Sequence, residues 1–106
     1  MYLIVTRAFP PELGGMQSLM WGLTKEMSKN FMIKVIADYQ NNHKEFDKKE
    51  NFSIERVGGI KFLRKIRKAQ LINEFIKENK IQGIIADHGK GLELIKTDKK
   101  KYCLIH

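Results

Sequence analysis

The segment with the clearest chemical potential is residues 9–16, which read Phe-Pro-Pro-Glu-Leu-Gly-Gly-Met between an apolar run and an amphipathic stretch. Adjacent glycines at 14 and 15 remove two side chains, so the main chain can adopt positive φ and a ligand can approach it closely. A helix that begins there presents N–H groups and the positive end of its dipole. Gly14, Gly15 and Met16 are therefore predicted to bind a phosphate. The alternative is a tight turn with close helix–strand packing.

Histidines follow two other apolar runs. Asp87 and His88 come directly after residues 81–86, and His106 closes the run that begins at Lys101. A histidine at a strand end can act in acid–base chemistry, but it is also commonly a satisfied structural residue. The sequence has no Walker A pattern and no Gly-x-Gly-x-x-Gly after the first apolar run, which disfavours a P-loop or a dinucleotide site. Metal-ligand spacing of Cys and His is also missing, so no metal is expected.

The chain is strongly basic, with a formal charge of +8 over 106 residues. Such a charge favours an anionic partner, although lysine-rich composition also serves solubility. Five cations fall within eight residues without one acid: Lys61, Arg64, Lys65, Arg67 and Lys68. Because Phe62, Leu63 and Ile66 interleave them, the segment could lie on an anionic membrane. The alternative is a solvated helix face whose apolar residues point to the core. A single aromatic residue is too few for base stacking, so nucleic acid is disfavoured.

Composition places the chain among small globular proteins. With 42% hydrophobic and 30% charged residues in 106, it is expected to form one domain. Its apolar runs are short of a membrane span, and the first residues lack a signal-peptide layout. The one cysteine, Cys103, suggests no disulfide, so a reducing cytoplasm is the expected location.

Apolar periodicity predicts five strands and two long helices. The strands are expected at 2–6, 31–37, 53–57, 81–86 and 101–106. A core-facing stripe at helical spacing follows the Gly-Gly pair: Met16, Leu19, Met20, Leu23 and Met27. A second helix is predicted from 62 or 63 to 79, with a shared core face of Phe62, Ile66, Ala69, Ile72 and Ile76. Residues 38–52 are interpreted as an exposed connection, and 88–96 as a short helix or turn.

This alternation predicts the α/β class, with a Rossmann-like open parallel sheet of about five strands and helices on both faces. Right-handed crossovers favour the strand order 3-2-1-4-5. The carboxyl ends of strands one, four and five then lie side by side. The Gly-Gly loop, Asp87, His88 and His106 are all expected at that edge, where ligands of open α/β sheets bind.

Three strings in the chain resemble one enzyme family. Residues 9–17, Phe-Pro-Pro-Glu-Leu-Gly-Gly-Met-Gln, closely resemble the opening of the GT-B glycosyltransferases of family four. Residues 84–88 (Ile-Ile-Ala-Asp-His) are similar to the family's Val-Val-His-Ala-His segment, with only the second His matched. Residues 103–106 (Cys-Leu-Ile-His) are similar to its strand ending in Thr-x-His. The resemblance extends over residues 2–106, and it is strongest at 9–16 and weakest at 38–80.

The resemblance implies transfer of a sugar from a nucleotide-sugar to a glycan or lipid acceptor, with retention at the anomeric carbon and no metal or other cofactor. The loop at residues 14–16 would approach the donor diphosphate, where backbone N–H groups stabilise charge on the leaving group. Glu12, Asp87 and His88 would line the cleft between acceptor and donor. His106 would lie near the donor sugar as a catalytic residue.

The family's second domain has no counterpart in these 106 residues. That domain carries the nucleotide site, an Arg/Lys pair for phosphate and a Glu-x-x-x-x-x-x-x-Glu motif. The chain is therefore expected to be the first part of the N-terminal, acceptor-side domain, inactive alone and cytoplasmic, with contact at the inner face of the membrane. The alternative from another class is a non-enzymatic basic α/β module that binds nucleic acid or another polyanion.

Overall fold

Strands and helices alternate along the chain. The computed structural model describes residues 1–7, 9–12, 14–87 and 100–103. Its elements are β1 (Tyr2–Thr6), α1 (Gly15–Met27), β2 (Ile33–Asp38), α2 (His43–Lys49), β3 (Ser53–Val57), α3 (Lys61–Glu78), β4 (Gly83–Ala86) and β5 (Lys100–Cys103). The predicted helix or turn at 88–96 and the end of the predicted last strand, including His106, lie outside the described residues.

The five strands form one all-parallel sheet in the order β3-β2-β1-β4-β5. This confirms the predicted α/β class, the open Rossmann-like sheet and the strand order. In the central strand, Tyr2 pairs with Ile33 on one side and with Gly83 on the other, so the carboxyl ends of β1, β2 and β4 form a common edge. The chain reverses its direction of travel across the sheet between β3 and β4, which places the topological switch point between β1 and β4.

Alternate residues of β1 face opposite layers. Leu3 and Val5 pack with the buried Ile72 of α3 on one side of the sheet. Ile4 packs on the other side with Met20 of α1, and Phe46 of α2 joins the same cluster. Burial on both faces accounts for the nearly continuous apolar sequence of β1 and β4, as parallel strands require. Helices therefore cover both faces, as predicted.

The core stripe of α1 is confirmed except at one position. Four of its residues contact the core cluster on the side of the sheet that α1 covers: Met16, Met20, Leu23 and Met27. Leu19, by contrast, is exposed. The four contacting residues follow offsets of four, three and four, which defines a narrow stripe, and Leu19 lies at its solvent margin.

The prediction of an exposed connection over residues 38–52 is only partly right, because many of these residues are exposed but others pack against the core. This segment contains α2, and Phe46 and Phe52 pack edge-on against the buried Phe9, with ring centroids 6.0 and 6.3 Å away. Two aromatic side chains therefore anchor a segment whose composition is otherwise polar. The strand before it is also shorter than predicted, because β2 begins at Ile33 and Phe31 is exposed.

The core face of α3 is confirmed only in the second half of the helix. Ile72 is 1% exposed and Ile76 packs against the core, whereas Phe62 and Ile66 are exposed. The Lys68 ammonium reaches the carbonyl oxygen of Thr6, the last residue of β1, so the turns before it extend past the carboxyl edge of the sheet. None of the described strands continues beyond that edge, so the side chains of these turns have no described sheet surface to cover.

None of the helices in the described part of the chain combines the length and the apolar character needed to cross a membrane.

Candidate functional site

The loop after β1 is fastened to the segment that leaves β2. The Gln40 side chain accepts a hydrogen bond of 2.8 Å from the Glu12 backbone N–H and donates another to the Phe9 carbonyl. The peptide bond between Pro10 and Pro11 in this loop is cis. Two loops from neighbouring parallel strands are thereby joined at the carboxyl edge of the sheet.

Between these two loops lies an open cleft of about 510 Å³. It is lined by Pro11, Glu12, Tyr39, Gln40, Asn41 and Asn42. A carboxylate, three amides and a phenol provide hydrogen-bond donors and acceptors on one surface, and the exposed Tyr39 ring adds an apolar face. This combination suits a ligand that is rich in hydroxyl groups.

A buried arginine supports the cleft from below. Arg56 of β3 has only 3% of its side chain exposed and donates to Asp47 Oδ1 and Oδ2, at 2.8 and 3.2 Å. It also donates to the Asp38 carbonyl at 3.3 Å and to the Pro10 carbonyl. One guanidinium thus links the β1 loop, the end of β2 and α2. Because its donors meet these acceptors, Arg56 serves as a structural support for the site.

The start of α1 is open. Gly15 is its first residue, and a Cβ built there would meet no atom of the described residues within 4 Å, whereas one at Gly14 would lie 2.4 Å from the flexible Gln17 Oε1. Within the described part of the chain no side chain caps this helix start, and its first turn contains no acidic residue. Since the fold does not need the space at Gly15, an approaching ligand could use it.

The expectation of positive φ at the Gly-Gly pair is wrong. Gly14 has φ 171°, which is extended backbone, and Gly15 is already helical. Among the described glycines, positive φ occurs at Gly59, with φ 109°. The side chain of Met16 packs against the core, so that residue can offer a ligand only its backbone.

At the switch point, a carboxylate joins the ends of β1 and β4. The Thr6 hydroxyl donates to Asp87 Oδ2 at 2.9 Å, and the Arg7 backbone N–H donates to the same oxygen at 3.3 Å. Asp87 is buried, so these contacts lie in a low-dielectric surrounding where they are effective. The structure thus brings Asp87 to the predicted edge and gives its carboxylate a bridging geometry.

A second polar group joins α3 to the same edge. Lys68 Nζ donates to Asp38 Oδ1 at 2.7 Å and to the Thr6 carbonyl at 2.8 Å, while Arg64 Nε lies 3.5 Å from Asp38 Oδ2. Burial lowers the pKa of Lys68, and the charge and hydrogen bond of Asp38 oppose that effect. Arg64 and Lys68 therefore face inward, away from the other cations of the predicted surface.

The structure gathers part of the predicted site. Glu12 lines the cleft, and residues 14–16 follow it along the chain at the start of α1. Asp87 lies at the same edge of the sheet. His88 and His106 fall outside the described residues. Lys61, Lys65 and Arg67 are exposed.

Sequence reasoning missed several residues at this edge, namely Arg7, Asp38, Tyr39, Gln40 and Arg56. Most of them share a position at or just after the end of a strand, and that shared position was the available signal. In the described ranges, no group of three or more His, Cys, Asp and Glu residues could hold a metal ion.

Comparison with protein-family models and with curated proteins gives no match for this chain.

Proposed function

We propose that the chain is the N-terminal, acceptor-side portion of a retaining glycosyltransferase that moves a sugar from a nucleotide-sugar to a glycan or lipid acceptor. One observation carries the proposal. A polar cleft lined by Glu12 and a helix start at Gly15 lie three residues apart along the chain, in the connection that follows the carboxyl end of β1 in a parallel sheet. Ligands of open α/β sheets bind at this edge. The likeness of residues 9–17 to the opening of the family supplies the reaction type.

In this proposal the cleft holds the acceptor. A sugar offers adjacent hydroxyl groups, which both donate and accept hydrogen bonds, and it offers C–H faces that pack on aromatic rings. Glu12, Asn41 and Asn42 match the hydroxyl groups, and Tyr39 matches an apolar sugar face. The ties from Gln40 to both loops hold these groups in place before the ligand arrives.

The start of α1 receives the donor phosphate. Backbone N–H groups at 14–16 and the positive end of a 13-residue helix favour an anion, and Gly15 leaves room for it. As the bond to the sugar breaks, charge grows on the diphosphate leaving group. The N–H groups stabilise this charge in the transition state, as an oxyanion hole does. No metal ion or other cofactor takes part.

The remaining assignments follow the resemblance. The resemblance assigns His88 to the cleft and assigns His106, as a catalytic residue, to the donor sugar. Asp87 positions the ends of β1 and β4 through Thr6 and Arg7. In the family that the chain resembles, the nucleotide-sugar binds mainly to a second domain, and the proposed location of the reaction is the cytoplasm. The 106-residue chain alone is then inactive.

The test begins with the reading frame and ends with an assay. Sequencing past codon 106 should show a second α/β domain with two Glu residues separated by seven. The full-length protein, assayed with a panel of UDP-, GDP- and ADP-sugars, should transfer sugar with the anomeric configuration retained. A reading frame without a second domain, or a complete protein that leaves the whole panel unchanged, would overturn the proposal.

A matched pair of variants tests the role of the helix start. A Cβ at Gly15 or at Gly22, both in α1, meets no atom of residues 1–7, 9–12, 14–87 and 100–103 within 4 Å, so Gly15→Val and Gly22→Val should both fold. Only Gly15→Val should lower kcat/KM, by about tenfold or more, because its side chain fills the space reserved for the diphosphate. Equal activity of the two variants would show that the loop is not part of the donor site.

A further inference from the structure

The first two turns of α3 and the residue before them expose large apolar side chains. Ile60 is 68%, Phe62 71%, Leu63 45% and Ile66 37% exposed. We call these four residues the apolar ridge. They fall within seven consecutive positions, so they form a concentrated patch rather than scattered surface residues. Concentrated exposed apolar surface marks a site of interaction.

Basic side chains flank the ridge. Lys61, Lys65 and Arg67 are exposed on the same two turns. The sequence from 56 to 73 contains no Asp or Glu, so the positive charge is not offset locally. The surface is therefore complementary to a partner that is both apolar and anionic.

The outward orientation of the ridge is built into the fold. On the inner side of these turns, Arg64 and Lys68 pair with Asp38, with N–O distances of 3.5 and 2.7 Å. At about 100° per residue, Phe62 and Ile66 lie on the side of the helix opposite Arg64 and Lys68, so pairing of these two cations with Asp38 turns Phe62 and Ile66 outward. The exposure of Phe62 and Ile66 thus follows from ion pairs at the sheet edge.

We infer that the apolar ridge docks on an anionic lipid bilayer. Its apolar side chains enter the boundary between headgroups and acyl chains, and the three exposed cations meet lipid phosphates. A second copy of this chain is disfavoured as the partner. It would place its own three cations against those of the first copy, and it carries a charge of +8 itself. A nucleic acid would satisfy the cations but leave the apolar side chains in water. The inference does not rest on the proposed transferase function.

The ridge adjoins the cleft at the carboxyl edge. A Cβ built at Gly58, two residues before Ile60, would lie 3.3 Å from Tyr39 Cβ, and Tyr39 lines the cleft. Docking through the ridge therefore holds the carboxyl edge of the sheet close to the bilayer surface.

Vesicle binding by the 106-residue chain tests the inference. We expect binding to vesicles of phosphatidylcholine with roughly one-third phosphatidylglycerol, and binding at least about tenfold weaker to phosphatidylcholine alone. The combined Lys61→Gln, Lys65→Gln and Arg67→Gln variant should bind the anionic vesicles about 100-fold more weakly, at about fivefold per cation. Binding that does not depend on phosphatidylglycerol would overturn the inference.

The chain offers a matched control on its opposite face. Lys44, Lys48 and Lys49 are exposed on α2, which covers the other side of the sheet from α3. Replacing all three with Gln changes the net charge by the same amount but should weaken vesicle binding by less than about threefold. If this control loses as much affinity as the variant on α3, the ridge is not the docking surface.

A third variant separates a bilayer from other partners. Phe62→Ser with Ile66→Ser should weaken binding to anionic vesicles by about tenfold or more, since it removes the inserting groups and keeps every charge. The same variant should bind a DNA duplex as the unaltered chain does. Unchanged vesicle binding would show that the surface is a general polyanion site. A dimer that dissociates in this variant, with no vesicle binding by the parent chain, would show that a second copy covers the ridge. Either result would overturn the inference.

Discussion

Lys68 Nζ lies 2.7 Å from Asp38 Oδ1, and this contact joins α3 to the carboxyl end of β2. The same ammonium donates to the Thr6 carbonyl at the end of β1. A single side chain thus ties a helix to the two strands that carry the cleft loops. It also fixes the rotation of α3 and, with it, the outward direction of Phe62 and Ile66.

Titration of Lys68 should appear in the pH dependence of stability. Burial holds the folded pKa of Lys68 below its ordinary value of 10.5. Between the folded and unfolded pKa values the unfolded chain binds more protons, so the free energy of unfolding rises with pH in that window. We expect the difference in unfolding free energy between the unaltered chain and Lys68→Met, measured with urea, to rise towards pH 10.5 and then level off.

The exposed Lys65 provides the control for that measurement. Lys65→Met removes one positive charge from the exposed side of the same helix, so it measures the effect of the charge change alone. A difference for Lys68→Met that stays flat or falls as pH increases would mean that its pKa is not lowered by burial.

Arg56 should be a major determinant of stability. Arg56→Leu leaves Asp47 without its guanidinium partner and the Pro10 carbonyl without its donor. Removing one member of a buried ion pair costs about 3 kcal/mol of unfolding free energy. Urea unfolding measures this loss, and the exposed Arg67→Leu should cost less than about 0.5 kcal/mol. Equal losses would mean that Arg56 does not link the three segments.

The two halves of α3 should respond differently to truncation. Ile72→Ala removes a side chain that is 1% exposed and should cost about 2–5 kcal/mol, because it leaves a cavity in the core. Ile66→Ala, on the same helix but exposed, should cost about 1 kcal/mol or less, since alanine is also the better helix former. Thermal or urea unfolding of the two variants measures both losses of unfolding free energy. Similar losses would show that Ile66 is buried in the core, which would contradict its place in the exposed apolar ridge.

The bridge between β1 and β4 can be measured by a double-mutant cycle. Thr6→Val and Asp87→Ala each break the 2.9 Å hydrogen bond between the two side chains. A hydrogen bond to a charged group contributes about 1.5 kcal/mol or more, so the losses should be non-additive by roughly that amount. Thr24→Val is the control partner, because the Thr24 hydroxyl bonds to the Met20 carbonyl instead. Additive losses for Thr6 and Asp87 would show that the contact does not stabilise the fold.

Some of the candidate site was accessible to sequence reasoning. Gly14 and Asp87 follow apolar runs, and the parallel topology requires the ends of such runs to share an edge. Gln40 and Arg56 could not be assigned, because their partners lie 28 and 46 residues away, at Glu12 and Pro10, and no local pattern records such contacts.

The sequence by itself determined the class of fold and the order of the strands. Apolar runs and helical spacing are local properties, and the rules for crossovers then leave few topologies. Only the tertiary structure decided which parts of each amphipathic pattern are buried. The periodicity of α3 is continuous, but the sheet beneath it ends near Lys68, so Ile72 is buried and Phe62 is exposed. Burial depends on what lies opposite a side chain, and that partner comes from a distant part of the chain.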